Sequence, residues 1–270
     1  MSETPFDALF EKIGDATDPS AARTSDPVKK AQLLSRQELP KRFYAEVEVR
    51  EEAEGYRVLL DGRGIKTPAR SALVLPNVST AAAIRDEWDH QTDVIDPLTM
   101  PVTRIVNAGL DGVAQNREAV IGDIARFAES DLLFYRADDP DRLVARQNAL
   151  WDPILAHVED HLGVRFVLAC GIMPVVQPES SIKAVRGALS PYSSIDLAAI
   201  HTLTSLTGSV LATLCLLIKK LTLDGLWEAA HVDEDWNREL WGVDAEAERR
   251  RERRFKEAQA AALILQANNS

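Results

Sequence analysis

The segment Asp61-Gly62-Arg63-Gly64-Ile65-Lys66-Thr67 brings together glycine, lysine and threonine, the residue types with which a phosphate loop cradles a nucleotide. The spacing fails that test. A phosphate loop needs glycine directly before its lysine and a helix directly after, so that backbone N–H groups face the phosphates. Here Ile65 precedes Lys66 and Pro68 follows Thr67. The segment reads instead as a hairpin, with Asp61-Gly62 supplying the positive φ angles of a tight turn. His157 and His161 lie one helical turn apart, a spacing that zinc sites use. A catalytic zinc needs at least a third ligand and a closed site two more. Glu159 points elsewhere on a helix, and His90, His201 and His231 stand alone. A metal-dependent hydrolase built on this pair is the alternative enzyme reading. A solvated pair of imidazoles is preferred, with no metal or other cofactor.

Other catalytic signatures are missing. The chain has no G-x-S-x-G elbow, no glycine-rich dinucleotide turn after a strand, and no cysteine with a histidine nearby in sequence. No residue stands out as nucleophile or base, so no catalytic residue is nominated and a non-enzymatic role is expected. Cys170 and Cys215 lie far apart in apolar surroundings, and both read as small core residues in a reducing compartment. Arg249-Arg250-Arg251-Glu252-Arg253-Arg254 is the dense basic run. It follows Glu246 and Glu248 and lacks interleaved aromatics, so a salt-laced solvated helix is preferred over a nucleic-acid patch.

The stretch from Asp233 to Glu246 is different, because it sets acids beside Trp236 and Trp241. Tryptophan is a large, rigid contact group, and acid around it suits an interface facing a basic partner. Glu239, Trp241, Asp244 and Glu246 are the candidate binding residues. The competing reading is a helix end that packs Trp236 or Trp241 into the core, with Gly242 as its cap. The residues alone leave both open.

The elements that position these groups change character along the chain. Its 270 residues are 46% hydrophobic and 27% charged, ordinary values for a folded protein. The net charge of −11 repels nucleic acid and anionic headgroups, so a protein partner is favoured over either. The first 40 residues carry no apolar signal core, and acids at Glu3, Asp7, Glu11, Asp15 and Asp18 are unlike an organelle presequence. Phe6, Leu9, Phe10 and Ile13 suit a short amphipathic helix, and Thr17 to Pro27 reads as linker. Strands are expected at Tyr44–Val49, Gly55–Leu60, Ile65–Thr67 and Leu73–Leu75. A helix capped by Ser79 or Thr80 follows, reaching about Gln91.

Helices dominate from Ala114 onward. One opens at Asp141 and ends at Gly163, with Pro153 expected to kink or split it near Trp151. Val164 to Leu168 is a short extended piece. Further helices are expected at Ser180–Leu189, Ile195–Leu206, Val210–Leu221, Leu226–Leu240 and Ala245–Gln266. Leu203 to Ile218 is nearly free of charge, yet it is too short and too rich in Ser and Thr to span a bilayer. It reads as a buried helix pair broken near Gly208, so no membrane insertion is expected. The fold class is α+β. Residues 1–40 form a weakly structured segment, 41–110 a small α+β domain with short antiparallel strands, and 111–270 a larger all-helical domain.

An ordered set of short motifs resembles the ATP12 family. Lys41-Arg42-Phe43-Tyr44 leads into Leu60-Asp61-Gly62-Arg63 and Lys66-Thr67-Pro68; Glu87-Trp88 with Gln91 and Met100-Pro101-Val102-Thr103 follow. Ser130-Asp131-Leu132, Tyr135-Arg136-Ala137, Gln147, Trp151-Asp152-Pro153 and Glu239-Leu240-Trp241-Gly242 complete the series, from about Pro40 to Glu248. The resemblance implies a chaperone that binds the unassembled F1-ATPase α subunit and keeps its β-facing surface from aggregating until the β subunit takes over. It implies a chaperone monomeric when free and, with this acidic start, a bacterial cytoplasmic one; relatives also occur in the mitochondrial matrix. It places the family's functionally important acid on Glu239. Trp88, Asp61, Gly62 and Asp131 are expected to support the fold. Asn237 departs from the glutamine common in relatives, and residues 164–176 resemble the family little.

Overall fold

Gly55–Leu60 is the strand around which the first part of the chain is organised, and we call it β2. It pairs antiparallel with β1, Val47–Glu52, in a register running from Val47 opposite Leu60 to Glu52 opposite Gly55. On its other edge it pairs with β3, Arg63–Gly64, and β4, Val74–Leu75. Gly55 takes φ +135°, and a Cβ there would collide with the Leu75 carbonyl. Only glycine lets β2 and β4 approach so closely. The structure is a computed structural model that describes residues 39–170 and 175–268. The helix expected around Phe6 and the linker after Thr17 lie outside the described residues.

The expected strand at Tyr44–Val49 starts later, at Val47. The backbone N–H groups of Ala45 and Glu46 donate instead to Asp61 Oδ1, at 3.0 and 2.9 Å, which ties the lead-in to the hairpin turn. That turn is formed by Asp61 and Gly62 at φ 47° and 77°. Helix α1, Val78–Asp89, is capped by Asn77 rather than by Ser79 or Thr80, because the Asn77 carboxamide already accepts the Thr80 N–H at 2.8 Å. Its Trp88 is fully buried, and the Tyr44 hydroxyl donates to the Trp88 carbonyl at 2.7 Å. Helix α2 spans Pro101–Ala108 and runs on through a π-helical turn, Gly109–Val113. The sequence places a boundary at 110–111; the first compact unit extends to Gln115 and the second spans Asn116–Gln266.

The second unit is built from α3, Arg117–Arg126; α4, Asp141–Leu162; α5, Glu179–Leu189; and α6, Ser194–Thr207. These continue into α7, Val210–Leu217; α8, Leu223–Ala230; α9, Val232–Trp241; and α10, Ala245–Asn268. A short parallel pair, β5 at Tyr135–Arg136 and β6 at Ala169–Cys170, adds strand to a unit expected to be all helical. The α+β class of the whole chain stands, with short antiparallel strands first and a larger helical unit after them. Every residue of α7 is buried, and Gly208 at φ 72° turns the chain from α6 into it. Among the described residues no helix is long and apolar enough to cross a membrane.

Three local expectations are corrected. Of the kink or split expected at Pro153, the split is ruled out, since α4 runs unbroken to its left-handed cap at Gly163. Proline removes one backbone hydrogen bond, but Trp151, Ile154, Leu155 and Val158 are buried around it, and Trp151 Nε1 donates to the Ala229 carbonyl at 2.8 Å. The expected Leu226–Leu240 helix is instead two, α8 and α9, broken at His231 with φ −119° and ψ 16°. The buried His231 ring packs at a tilt against Trp227, centroids 4.1 Å apart, with Nδ1 2.8 Å from the Trp227 carbonyl. Cys170 is exposed on the edge pair, not a core residue, whereas Cys215 is buried in α7.

Candidate functional site

Helix α9 has an unusual construction, because Val232 is its one buried residue. A helix with so little apolar burial needs other fastenings, and polar contacts on two sides supply them. From α4, Gln147 Nε2 donates to Asp233 Oδ1 at 2.7 Å and Arg146 Nη1 to Glu239 Oε1 at 2.6 Å. The Arg142 guanidinium lies 5.8 Å from the centre of the half-buried Trp236 ring. From α10, Arg251 grips Asp235 through both terminal guanidinium nitrogens, Nη1 and Nη2, the latter at 3.0 Å, and Glu248 pairs with Arg238 at 2.8 Å. Burial opposes ionisation of Asp235, but hydrogen bonds and charge from Arg251 and Arg238 outweigh it and hold the carboxyl below its usual range. The Asp235 carboxylate in turn raises Arg251.

The helix ends where this fastening ends. Gly242, at φ 88° and ψ −179°, donates its N–H to the Arg238 carbonyl and releases the chain outward. Leu240, Trp241 and Val243 are left 57%, 85% and 62% exposed. Of the two readings of the tryptophans, core packing is excluded for Trp241. Asp244 then starts α10 by accepting the Glu246 N–H at 2.8 Å, and Glu246 lies 3.6 Å from Arg250. Glu239, Trp241, Asp244 and Glu246 are all exposed along this junction. A cavity of about 330 Å³ opens between α9 and α10, lined by Arg238, Val243, Asp244, Ala247, Glu248 and Arg251 among others. Acid, exposed indole and a recess of this size suit the capture of another protein's side chains.

The other sequence candidates lie elsewhere. His157 and His161 are exposed on α4, and among the described residues no three His, Cys, Asp or Glu side chains come together to hold a metal. The glycine-bearing segment at Asp61–Thr67 is the β2–β3 hairpin. Of the arginine run, Arg251 and Arg254 turn inward, Arg254 donating to the Leu206 carbonyl. Asp131 is wholly buried: Oδ1 accepts the Leu133 N–H and Oδ2 the Leu211 N–H, both at 3.1 Å, so it caps the core helix α7. Burial pushes its carboxyl up to about 6. Arg142 and Arg146, which hold α9 from α4, carry no signal in the sequence, since each acts on a residue distant from it along the chain. Arg251 stands out there only as part of the arginine run.

The separated motifs interlock. Arg136 Nη1 reaches Asn148 at 3.0 Å and Asp152 at 2.7 Å, while Gln147 accepts the Ala137 N–H at 2.8 Å and donates to α9. Residues 41–159 match the family model described as ATP12 chaperone protein. The chain is also 32% identical to Atp12 from Paracoccus denitrificans, with TM-score 0.77 over 84% of this chain and 97% of that one. The chain belongs to the ATP12 chaperone family. An aspartate-to-lysine variant of the same Paracoccus protein matches at 31% identity and TM-score 0.77, again over 84% and 97% of the two chains. Higher similarity is found with the Atu1473 protein from Agrobacterium tumefaciens, provisionally described as a chaperone: 44% identity and TM-score 0.83 over 97% of this chain and 98% of that one. In this ATP12-family member the interlocked motifs of the second unit support α9, and α9 carries the exposed acid and indole.

Proposed function

We propose that this chain is an assembly chaperone for F1-ATPase that binds the unassembled α subunit, shields its β-facing surface and releases it to the β subunit. The observation that carries the reading is Trp241, 85% exposed at the end of a polar-clamped helix beside Glu239. A solvent-exposed indole adds little to the stability of its own fold, and it gains most when a partner buries it. An orphan subunit has the complementary problem, since its uncovered apolar interface drives aggregation. Reversible cover requires no nucleotide hydrolysis, which agrees with the hairpin formed by Asp61–Thr67. Glu239, Trp241, Asp244 and Glu246 form the client face, and their acids favour a client presenting basic groups. We further propose that it acts as a monomer in the bacterial cytoplasm; its similarity to proteins of Agrobacterium and Paracoccus supports the bacterial setting.

Co-purification with F1 α subunit tests this reading. Wild-type protein should retain α subunit and keep it from aggregating, and Glu239→Lys should lose it. Wild type that captures no α subunit removes the proposal. A charge reversal that leaves capture and F1 assembly intact removes Glu239 from the face.

A further inference from the structure

The acid of the proposed client face is not free in the folded chain. Glu239 is held by Arg146 at 2.6 Å, across 93 residues of sequence, with side-chain exposures of 55% and 29%. One carboxylate oxygen is thus engaged on the α4 side while the group stays open to solvent. This contact ties the last turn of α9 to α4. From α4, Gln147 holds Asp233 in the first turn. From α10, Arg251 holds Asp235 and Glu248 pairs with Arg238 in the last turn, so Arg146 is the tie of that turn to α4. Since α9 buries only Val232, packing alone does not fix the direction in which Glu239 and Trp241 point. Elements with few buried apolar contacts open most readily, so the polar ties at the last turn, Arg146 to Glu239 among them, govern whether the face is preformed.

We infer that Arg146 is the positioning residue of the client face: it anchors Glu239 and the end of α9 in the binding-ready arrangement, while a basic client side chain approaches the exposed side of the same carboxylate. The inference rests on the proposed binding of the F1 α subunit. Arg146 touches no client; it acts through Glu239. A planar guanidinium suits this role because it holds a carboxylate in a directed geometry that an ammonium does not reproduce.

Hydrogen exchange of the free chaperone, combined with affinity for purified F1 α subunit, separates the possibilities. Arg146→Ala should speed amide exchange at residues 237–242, leave α6 and α7 at wild-type protection, and weaken α binding about two- to fivefold, the range of a part-exposed ion pair. Arg146→Lys should fall between the two. The exchanged pair Arg146→Glu with Glu239→Arg should recover protection of α9 without recovering α binding, because the carboxylate no longer faces the client. Wild-type exchange and affinity in Arg146→Ala would overturn the inference. Recovery of binding by the exchanged pair would also overturn it, since the ion pair would then be purely structural. If wild type itself binds no α subunit, the proposed function fails instead, and the exchange data still decide whether Arg146 anchors α9.

Discussion

Thr103 donates to the carboxylate of Glu87 twice, from its backbone N–H at 2.8 Å and its hydroxyl at 2.7 Å. The Val102 N–H adds a third bond at 2.6 Å, so a side chain from the end of α1 caps the start of α2. Met100, the residue at the cap position, makes no side-chain bond of its own. Burial raises the Glu87 carboxyl against the pull of these donors. Glu87→Ala should therefore cost about 2 kcal/mol, at the upper end for a lost cap, and Glu87→Gln less because one acceptor survives. Urea unfolding followed by circular dichroism measures both.

Asp131 should leave a signature in the pH dependence of stability. Its carboxyl lies near 6 in the folded chain against 3.8 for an ordinary aspartate, with burial as the main cause. The folded state therefore binds the proton more tightly than the unfolded state. This contribution is fully present below pH 4 and is lost as pH rises through 6. Across that window it amounts to about 3 kcal/mol. Asp131→Asn should remove this slope, although losing one acceptor at α7 lowers stability at every pH. Urea midpoints between pH 4 and 7 check it; parallel curves for the two proteins would rule it out.

Two tryptophans should respond in opposite ways to truncation. Trp241→Ala should change stability by less than about 0.5 kcal/mol, as for other exposed sites, yet weaken α-subunit binding by about 2 kcal/mol or more. Trp151 is fully buried and bonded to Ala229. Trp151→Ala should cost roughly 3–5 kcal/mol of stability. Thermal unfolding alongside a binding titration separates the two effects.

The cysteines give a chemical check on the fold. Cys170 is exposed, whereas Cys215 is buried and its thiol is pushed up to about 11 by that burial. A thiol reagent at neutral pH should modify Cys170 and spare Cys215 until the chain unfolds. Mass spectrometry of the labelled protein reads the outcome.

The Asp235–Arg251 clamp should be salt- and acid-sensitive. Because the folded state holds the Asp235 carboxyl below its usual range, the stabilisation is present above the unfolded value and is lost as pH falls through the folded one. Asp235→Asn should loosen α9 by about 1–2 kcal/mol, seen as faster hydrogen exchange confined to residues 232–242.

Sequence by itself determined what depends on a few neighbouring residues. Asp61-Gly62 turns a hairpin because both positions take positive φ, and Gly163 and Gly208 end helices for the same backbone reason. The ordered motifs from Lys41 to Gly242 identified the family, and the acid-and-tryptophan stretch near Glu239 marked the face to test. Only the tertiary structure decided that Trp241 lies on the surface. Trp151 and Trp241 each follow a leucine, but Trp151 is fully buried and Trp241 85% exposed, because burial is set by what packs against them. It also decided that Pro153 stays inside α4 and that His231 divides α8 from α9, since packing there outweighs local preference. Arg146 is the furthest case: its meeting with Glu239 depends on how α4 and α9 dock, and no spacing along the chain encodes a contact made across 93 residues.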